Sequence, residues 1–192
     1  AALAEAASMD PVDFALEIVL ENDGRGQIFM PALNYVYGNS DHCLEMLQHP
    51  YTVPGLGDGG AHVSFISDAS FSTYLLTHWA RDRGARPGGG ETLPVEYIVK
   101  RQCADTAHLV GFDDRGVLAP GMKADLNVID FDALALAPPE MRYDLPAGGK
   151  RLVQKAAGYR YTIVSGEVVL EDGEPTGATP GKLVRGAQPA PA

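Results

Sequence analysis

The chain has 192 residues, 45% of them apolar, with Asp+Glu 25 against Lys+Arg 15 and a formal net charge of -10. That length allows one large domain or parts of two, and the apolar fraction excludes a disordered chain. So acidic a surface repels phosphate backbones, which excludes nucleic acid and anionic membrane as expected partners.

No apolar run approaches the roughly 20 residues that a membrane helix needs. The opening, "AALAEAASMDP", lacks the basic end and apolar stretch of a signal peptide and reads like the middle of a helix. Cys43 and Cys103 stand far apart with no C-x-x-C, so neither a disulfide framework nor a zinc knuckle is expected. A reducing cytoplasm is the expected compartment.

Asp10-Pro11 predicts a helix start, with Asp10 as N-cap and Pro11 in the first turn. Val12, Ala15, Leu16 and Val19 repeat at helical spacing, and "ENDG" stops the helix at Gly24. "QIFMPAL" predicts a strand. "GNSDHCLEMLQHP" predicts a short helix capped near Asn39 or Ser40 and ended before Pro50. "YTVPGLG" predicts a second short strand that stops on Asp58. In "SFSTYLLTHWARDRG", Phe71, Tyr74, Leu75 and His78 share a helical face, and "RGARPGGGE" reads as a flexible linker. "LPVEYIVKRQCADTAHLVG" is the clearest helix, with Pro94 at its start and Gly111 past its end. Up to Gly111 the alternation is that of an α/β fold.

Beyond that point the pattern turns to β. "RGVLAPGMKADLNVIDF" and "YRYTIVSGEVVLEDGEPTG" are β-branched runs broken by Pro-Gly, Ser-Gly and Asp-Gly, and "VSGEVV" predicts a tight hairpin. Between them residues 133–158 form a Pro/Gly-punctuated insertion, and the tail after Gly181 is expected to fray.

"TVPGLGDGGAHVSF" packs four glycines around one acid, Asp58. A dinucleotide-binding turn needs an apolar strand before the glycines and a helix opening on the last of them. Pro54 interrupts the strand, Asp58 would repel the phosphate, and "AHVSFISD" has no helical pattern. Two readings remain: a glycine turn capped by Asp58, or an acid held at the C-terminal end of a barrel strand, where such folds keep catalytic groups.

"GLGDGGAH", "VEYIVKRQCADTAHLVGF" and "DRGVLAPGMKADLNVIDFDAL", in that order, resemble the C-terminal half of an amidohydrolase-superfamily enzyme. More narrowly they resemble the N-acyl-D-amino-acid deacylase (D-aminoacylase) branch, and "GYRYTIVSGEVVLEDGEPTGATPGKLVRG" is similar to its closing hairpin and tail. The resemblance implies an α/β chain that is the C-terminal part of a metal-dependent (β/α)8 TIM-like barrel, followed by part of a small β-sandwich. Residues 1–111 would be the barrel portion, and residues 112–192 the β-rich segment with its insertion. It implies hydrolysis of a non-peptide amide C–N bond. Asp58 matches the acid that closes the last barrel strand, the general acid/base at the metal-bound water and a candidate metal ligand. A carboxylate with a reference pKa near 3.9 can take that water's proton and deliver it to the leaving nitrogen. His62, four residues on, is the second candidate at the mouth, against a polar loop role.

The family's H-x-H and its other ligands are not in this sequence; His42, His49, His62, His78 and His108 form no H-x-H or H-E-x-x-H. Zn2+ or another divalent metal is therefore expected in the complete enzyme and none in this segment alone. A barrel of this kind needs roughly 250 residues. The expected partners are a small-molecule amide substrate and the missing N-terminal part of the same chain, and the isolated segment is expected to be inactive. Gly57 stands where the family commonly has Ser, and "AHVSFISDASFS" lacks the Arg that pairs a substrate carboxylate in many D-aminoacylases. That lack removes a bidentate clamp and leaves amide hydrolysis intact. Asp125 reads as a turn residue. The alternative is a non-catalytic, acidic α/β binding or interaction domain derived from the same fold.

Overall fold

The computed structural model describes residues 2–191 apart from 29–32, 36, 56, 58–61, 66 and 87–88. The chain divides into two compact units, Ala1–Gln48 and His49–Ala192. The whole is a mix of helix and sheet.

The first unit holds α1 (Ala2–Ala6), α2 (Pro11–Gly24) and α3 (Asp41–Gln48). Asp10 caps α2 as expected: its carboxylate accepts from the Val12 N–H at 2.8 Å and the Asp13 N–H at 3.4 Å. Regular helix ends at "ENDG", where Glu21 is extended and Asn22 and Asp23 are left-handed. The buried face differs from the expected one. Phe14, Ala15 and Ile18 are half-buried, while Val12, Leu16 and Val19 are exposed. Apolar residues surround this helix on every side, so its spacing does not select a face. Asn39 Oδ1 accepts from the Asp41 N–H at the start of α3. The expected strand at 27–33 lies mostly outside the described residues, and Gln27, Ile28 and Leu33 are not in a strand.

In the second unit a continuous helical run begins with α4 (Phe71–Tyr74) and continues as a π-helix, Leu75–Asp82. Wider than an α-helix, it buries Leu75, Leu76, Thr77, His78 and Trp79 together, where 3.6-residue spacing had picked out only Leu75 and His78. The Thr77 hydroxyl donates to the Thr73 carbonyl at 3.1 Å, a back-bond that loosens a regular helix. With Leu93, Ile98 and Leu134 these residues form the core. The expected linker is tied back at both ends: the Leu93 N–H donates to the Trp79 carbonyl at 2.8 Å, and buried Arg83 stacks on Trp79 and donates to the Glu91 carbonyl. The helix expected from Val95 breaks at Cys103 into α5 (Val95–Gln102) and α6 (Ala104–Leu109). At the break the Thr106 hydroxyl donates to the Gln102 and Cys103 carbonyls, which bends a helix.

The β segment contains one four-stranded antiparallel sheet of β1 (Leu126–Ile129), β6 (Tyr159–Val164), β7 (Glu167–Glu171) and β8 (Glu174–Pro175), in that order. Ser165 and Gly166, both at positive φ, make the expected tight hairpin, and Asp172-Gly173 makes the next turn. Residues 133–158 are not an irregular excursion. They form a nested hairpin arm, with β2 (Ala135–Leu136) on β5 (Ala156–Ala157) and β3 (Glu140–Leu145) on β4 (Gly149–Val153). Gly158 lets the arm rejoin the sheet, at φ +93 with the Leu134 backbone directly against it. Arg81 fastens the start of the arm, donating to the carbonyls of Phe131 at 2.5 Å and Leu134 at 2.8 Å. The tail is held rather than frayed at Gln188, whose N–H and carbonyl pair with Gly111 and Asp113.

Candidate functional site

The acid picked out by the sequence, Asp58, lies outside the described residues together with Leu56 and residues 59–61. So does the strand end on which it is expected. The described part of that expected strand, Tyr51 to Gly55 and Gly57, is turn and irregular backbone.

On the upstream side residues 49–52 form a tight turn. The Thr52 N–H and hydroxyl both donate to the His49 carbonyl, and His49 Nδ1 accepts from the Tyr51 N–H at 3.3 Å. His49 thus works as the expected helix stop. Arg101 of α5 reaches this turn. Its Nη2 donates to the Thr52 carbonyl, to Thr52 Oγ1 at 3.3 Å and to the His49 carbonyl at 3.5 Å. Its Nη1 pairs with Asp105 Oδ2 at 3.1 Å, one helical turn on. Asp105 also accepts from Lys100 at 2.5 Å, and that bond, helped by Arg101, holds its carboxyl below the usual range. The Arg101 side chain is 8% exposed.

On the downstream side His62 is exposed, at φ +47, and opens a turn closed by the Phe65 N–H on its carbonyl at 2.7 Å. Its imidazole makes no hydrogen bond or ion pair among the described residues. The next carbonyl, that of Val63, accepts from the Leu152 N–H of β4 at 2.6 Å. Further on, Ser70 bonds Gln154 and the Thr73 hydroxyl meets the Tyr159 hydroxyl at 2.8 Å. The hairpin arm therefore lies along the chain that follows the glycines.

The other histidines serve separate neighbourhoods. His42 meets the Tyr37 ring edge-on, and His108 pairs with Asp113 on the surface. His78 stacks on Tyr74 at 4.7 Å and abuts Trp79, with burial, then Arg86 and Arg83, pushing its pKa down. Asp125 is a turn residue, accepting from the Ser165 N–H at 2.8 Å. Among the described residues no three His, Cys, Asp or Glu side chains converge as metal donors. No described helix is long and apolar enough to cross a membrane. Sequence reasoning missed Arg101; its one signal was the i, i+4 spacing to Asp105, which says nothing of its reach to Thr52.

Two curated relatives are named 5-methylthioadenosine/S-adenosylhomocysteine deaminase. That of Desulfitobacterium hafniense (strain DSM 10664 / DCB-2) is 27% identical over 143 residues, covering 72% of this chain and 32% of the relative. That of Halobacterium salinarum is 27% identical over 164 residues, covering 81% and 34%. The chain thus spans about a third of the length of the curated relatives it matches. A solved D-aminoacylase structure, described as defining a novel subset of amidohydrolases, is 30% identical. It overlays with a TM-score of 0.41 on 56% of this chain and 19% of its own. An overlay that loose fixes neither arrangement nor chemistry. The model of the amidohydrolase family matches residues 5–170, well over half of the sequence, and the chain belongs to that family.

Proposed function

We propose that this chain is the C-terminal segment of a hydrolase that cleaves a C–N bond of a small molecule, with Asp58 carrying the proton transfer. The observation that supports it best is the family match across residues 5–170, which includes the glycine-flanked acid. Asp58 would accept a proton from the attacking water and return it to the leaving nitrogen, with His62 at the mouth. A positioned general base of this kind contributes about 10²–10⁴ in rate. Residues 1–111 would belong to a (β/α)8 barrel and residues 112–192 to a β-sandwich.

Members of the superfamily generally use divalent metals. The described side chains do not fit such an ion, because their histidines and acids are dispersed. The donors would come from the remainder of the complete protein, with Asp58 as one further ligand, and no step is assigned to a metal here. Two unpaired cysteines, Cys43 and Cys103, support a reducing, cytoplasmic setting.

The leaving group has two versions. The deaminase names of the curated relatives favour an exocyclic amine, which would release ammonia. The sequence resemblance favours an N-acyl amino acid, which would release an amino acid. The test is to assay the complete protein carrying this segment against N-acyl-D-amino acids and 6-aminopurine nucleosides, reading both products. Turnover of either class supports the hydrolase and chooses the leaving group. Binding of small molecules without turnover of any C–N bond would favour the non-catalytic domain instead.

A further inference from the structure

We propose that a groove beside α5 is the seat of apolar side chains from the remainder of the complete protein. The proposal rests on the reading of this chain as a segment of a longer protein and not on the role of Asp58. The groove has a volume of about 520 Å³ and lies wholly within the second unit. Val95 and Val99 of α5 line it together with Val117, Ala104 of α6 and Gly116. A helix on a protein surface carries one apolar stripe toward the core and polar residues opposite. At about 100° per residue, α5 turns the buried Ile98 and Arg101 to one side and Val95, Val99 and Lys100 toward the other. Its outward side thus keeps two valines, and Val99 is 45% exposed. Val117, across from them in the lining, is 54% exposed.

The charged residues at the groove leave it apolar. Lys100 directs its ammonium to Asp105 at 2.5 Å, so its methylene stem is what it offers the groove. Glu96 sits in the first turn of α5, where a carboxylate favours the helix N-terminus. The groove is also built in advance. Gly116 is at φ +86, and a Cβ there would lie 2.8 Å from the Cys103 carbonyl oxygen and 3.0 Å from the Ala107 Cβ. The backbone leading to Val117 therefore rests directly on α6, and a partner side chain finds the cleft without paying to order it. Length and charge choose the occupant. The chain spans about a third of the curated relatives it matches, so about two thirds of such a protein lies outside it. Longer chains bury a larger fraction of their surface, and contiguous exposed apolar surface marks a contact site. A second copy is the poorer occupant, because each chain would bring a formal net charge of -10 toward the other.

The test uses the complete protein that carries this segment, with the single substitutions Val99→Cys and Val117→Cys. Each variant is labelled with a maleimide in its native state and again in urea, and peptide mass mapping reads each site apart from Cys43 and Cys103. Positions 99 and 117 should label at least about tenfold more slowly in the native protein than in urea, because label enters only when the contact opens. Protection below about tenfold at both positions would mean a groove open to water and would overturn the proposal. Protection that disappears on dilution would overturn it too, because the occupant would then be a second copy. A second measurement is the Tm of Val117→Lys, which puts an ammonium into the groove. It should fall by about 4 °C or more, whereas a surface site tolerates the change within about 1 °C; an unmoved Tm counts against the proposal in the same way. If Val117→Lys does not fold, the labelling rates decide. Neither readout depends on turnover. If Asp58→Asn keeps its turnover while positions 99 and 117 are protected, the hydrolytic reading falls and the groove assignment stands. If Asp58→Asn is dead and both positions label freely, only the groove assignment falls.

Discussion

His78 is a buried titratable group with no compensating hydrogen bond among the described residues. Neither ring nitrogen has a hydrogen-bond partner among the described residues, and the charges facing it are Arg86, Arg83 and Asp82. Its folded pKa is lowered first by burial and then by the two arginines, from an unfolded value of about 6.5. As pH falls through about 6.5 the unfolded chain takes up a proton that the folded chain refuses. Stability should therefore drop from neutrality down to the folded pKa and level off below it. His78→Phe keeps a ring against Tyr74 and cannot titrate. Between pH 7.5 and 5 the wild-type Tm should fall by at least about 2 °C more than that of the variant. Parallel Tm curves would mean that the ring is hydrated or hydrogen-bonded. Asp105 and Asp82, whose pKa values are lowered by their Lys100, Arg101 and Arg81 partners, act in the opposite range. Their contributions are present above about pH 4 and are lost as pH falls through their folded values. At this scale the cap Asp10 was legible in its local turn chemistry, while Asp58 lies outside the described residues. The sequence could not locate Arg101, because reach across about fifty residues of chain leaves no local pattern.

Elements whose signal is local were legible. The Ser165-Gly166 hairpin, the Asp172-Gly173 turn and the stop after Leu20 each follow from two or three residues with positive φ. The π-helix at Leu75–Asp82 was not, because its burial comes from packing against Leu93, Ile98 and Leu134 rather than from its own spacing. The nested arm was half visible. "DLPAGGK" marks its tip, but the pairing of Leu136 with Ala156 joins residues too far apart for a turn rule. Two glycines separate conformation from contact. Gly166 sits at φ +85 with nothing within 4 Å of a would-be Cβ, and Gly158 sits at φ +93 with the Leu134 Cα at 2.6 Å. Gly166→Ala should cost about 1–2 kcal/mol, the penalty of a left-handed alanine. Gly158→Ala adds a backbone collision beside the fully buried Leu134 and should cost clearly more, about 3 kcal/mol or above. Urea unfolding of both variants checks the order. Equal losses would mean that the arm shifts freely away from the sheet.

On the scale of the whole molecule, family membership was carried by motifs in order, and residues 5–170 match that family. The barrel itself was not legible in a form that the described residues display. The strands expected at 27–33 and 51–57 fall partly outside them, and their described parts are irregular. Parallel barrel strands pair with neighbours distant in sequence, so their existence is poorly encoded in any one stretch. The dispersal of His42, His49, His62, His78 and His108 leads to a further prediction. The 192-residue chain, dialysed against a weak chelator, should hold far less than one zinc per molecule, because a catalytic site needs about three protein ligands. Stoichiometric zinc found by metal analysis would mean that the histidines converge after all.

The most direct test of the account is the turnover of Asp58→Asn in the complete protein that carries this segment. Asn has nearly the same shape, so Tm should stay close to wild type, but it cannot accept a proton from water. Turnover should fall by about 10²–10⁴. Retention of more than about a tenth of wild-type turnover, above even the weak end of that range, would contradict the assignment and leave Asp58 as the cap of a glycine turn.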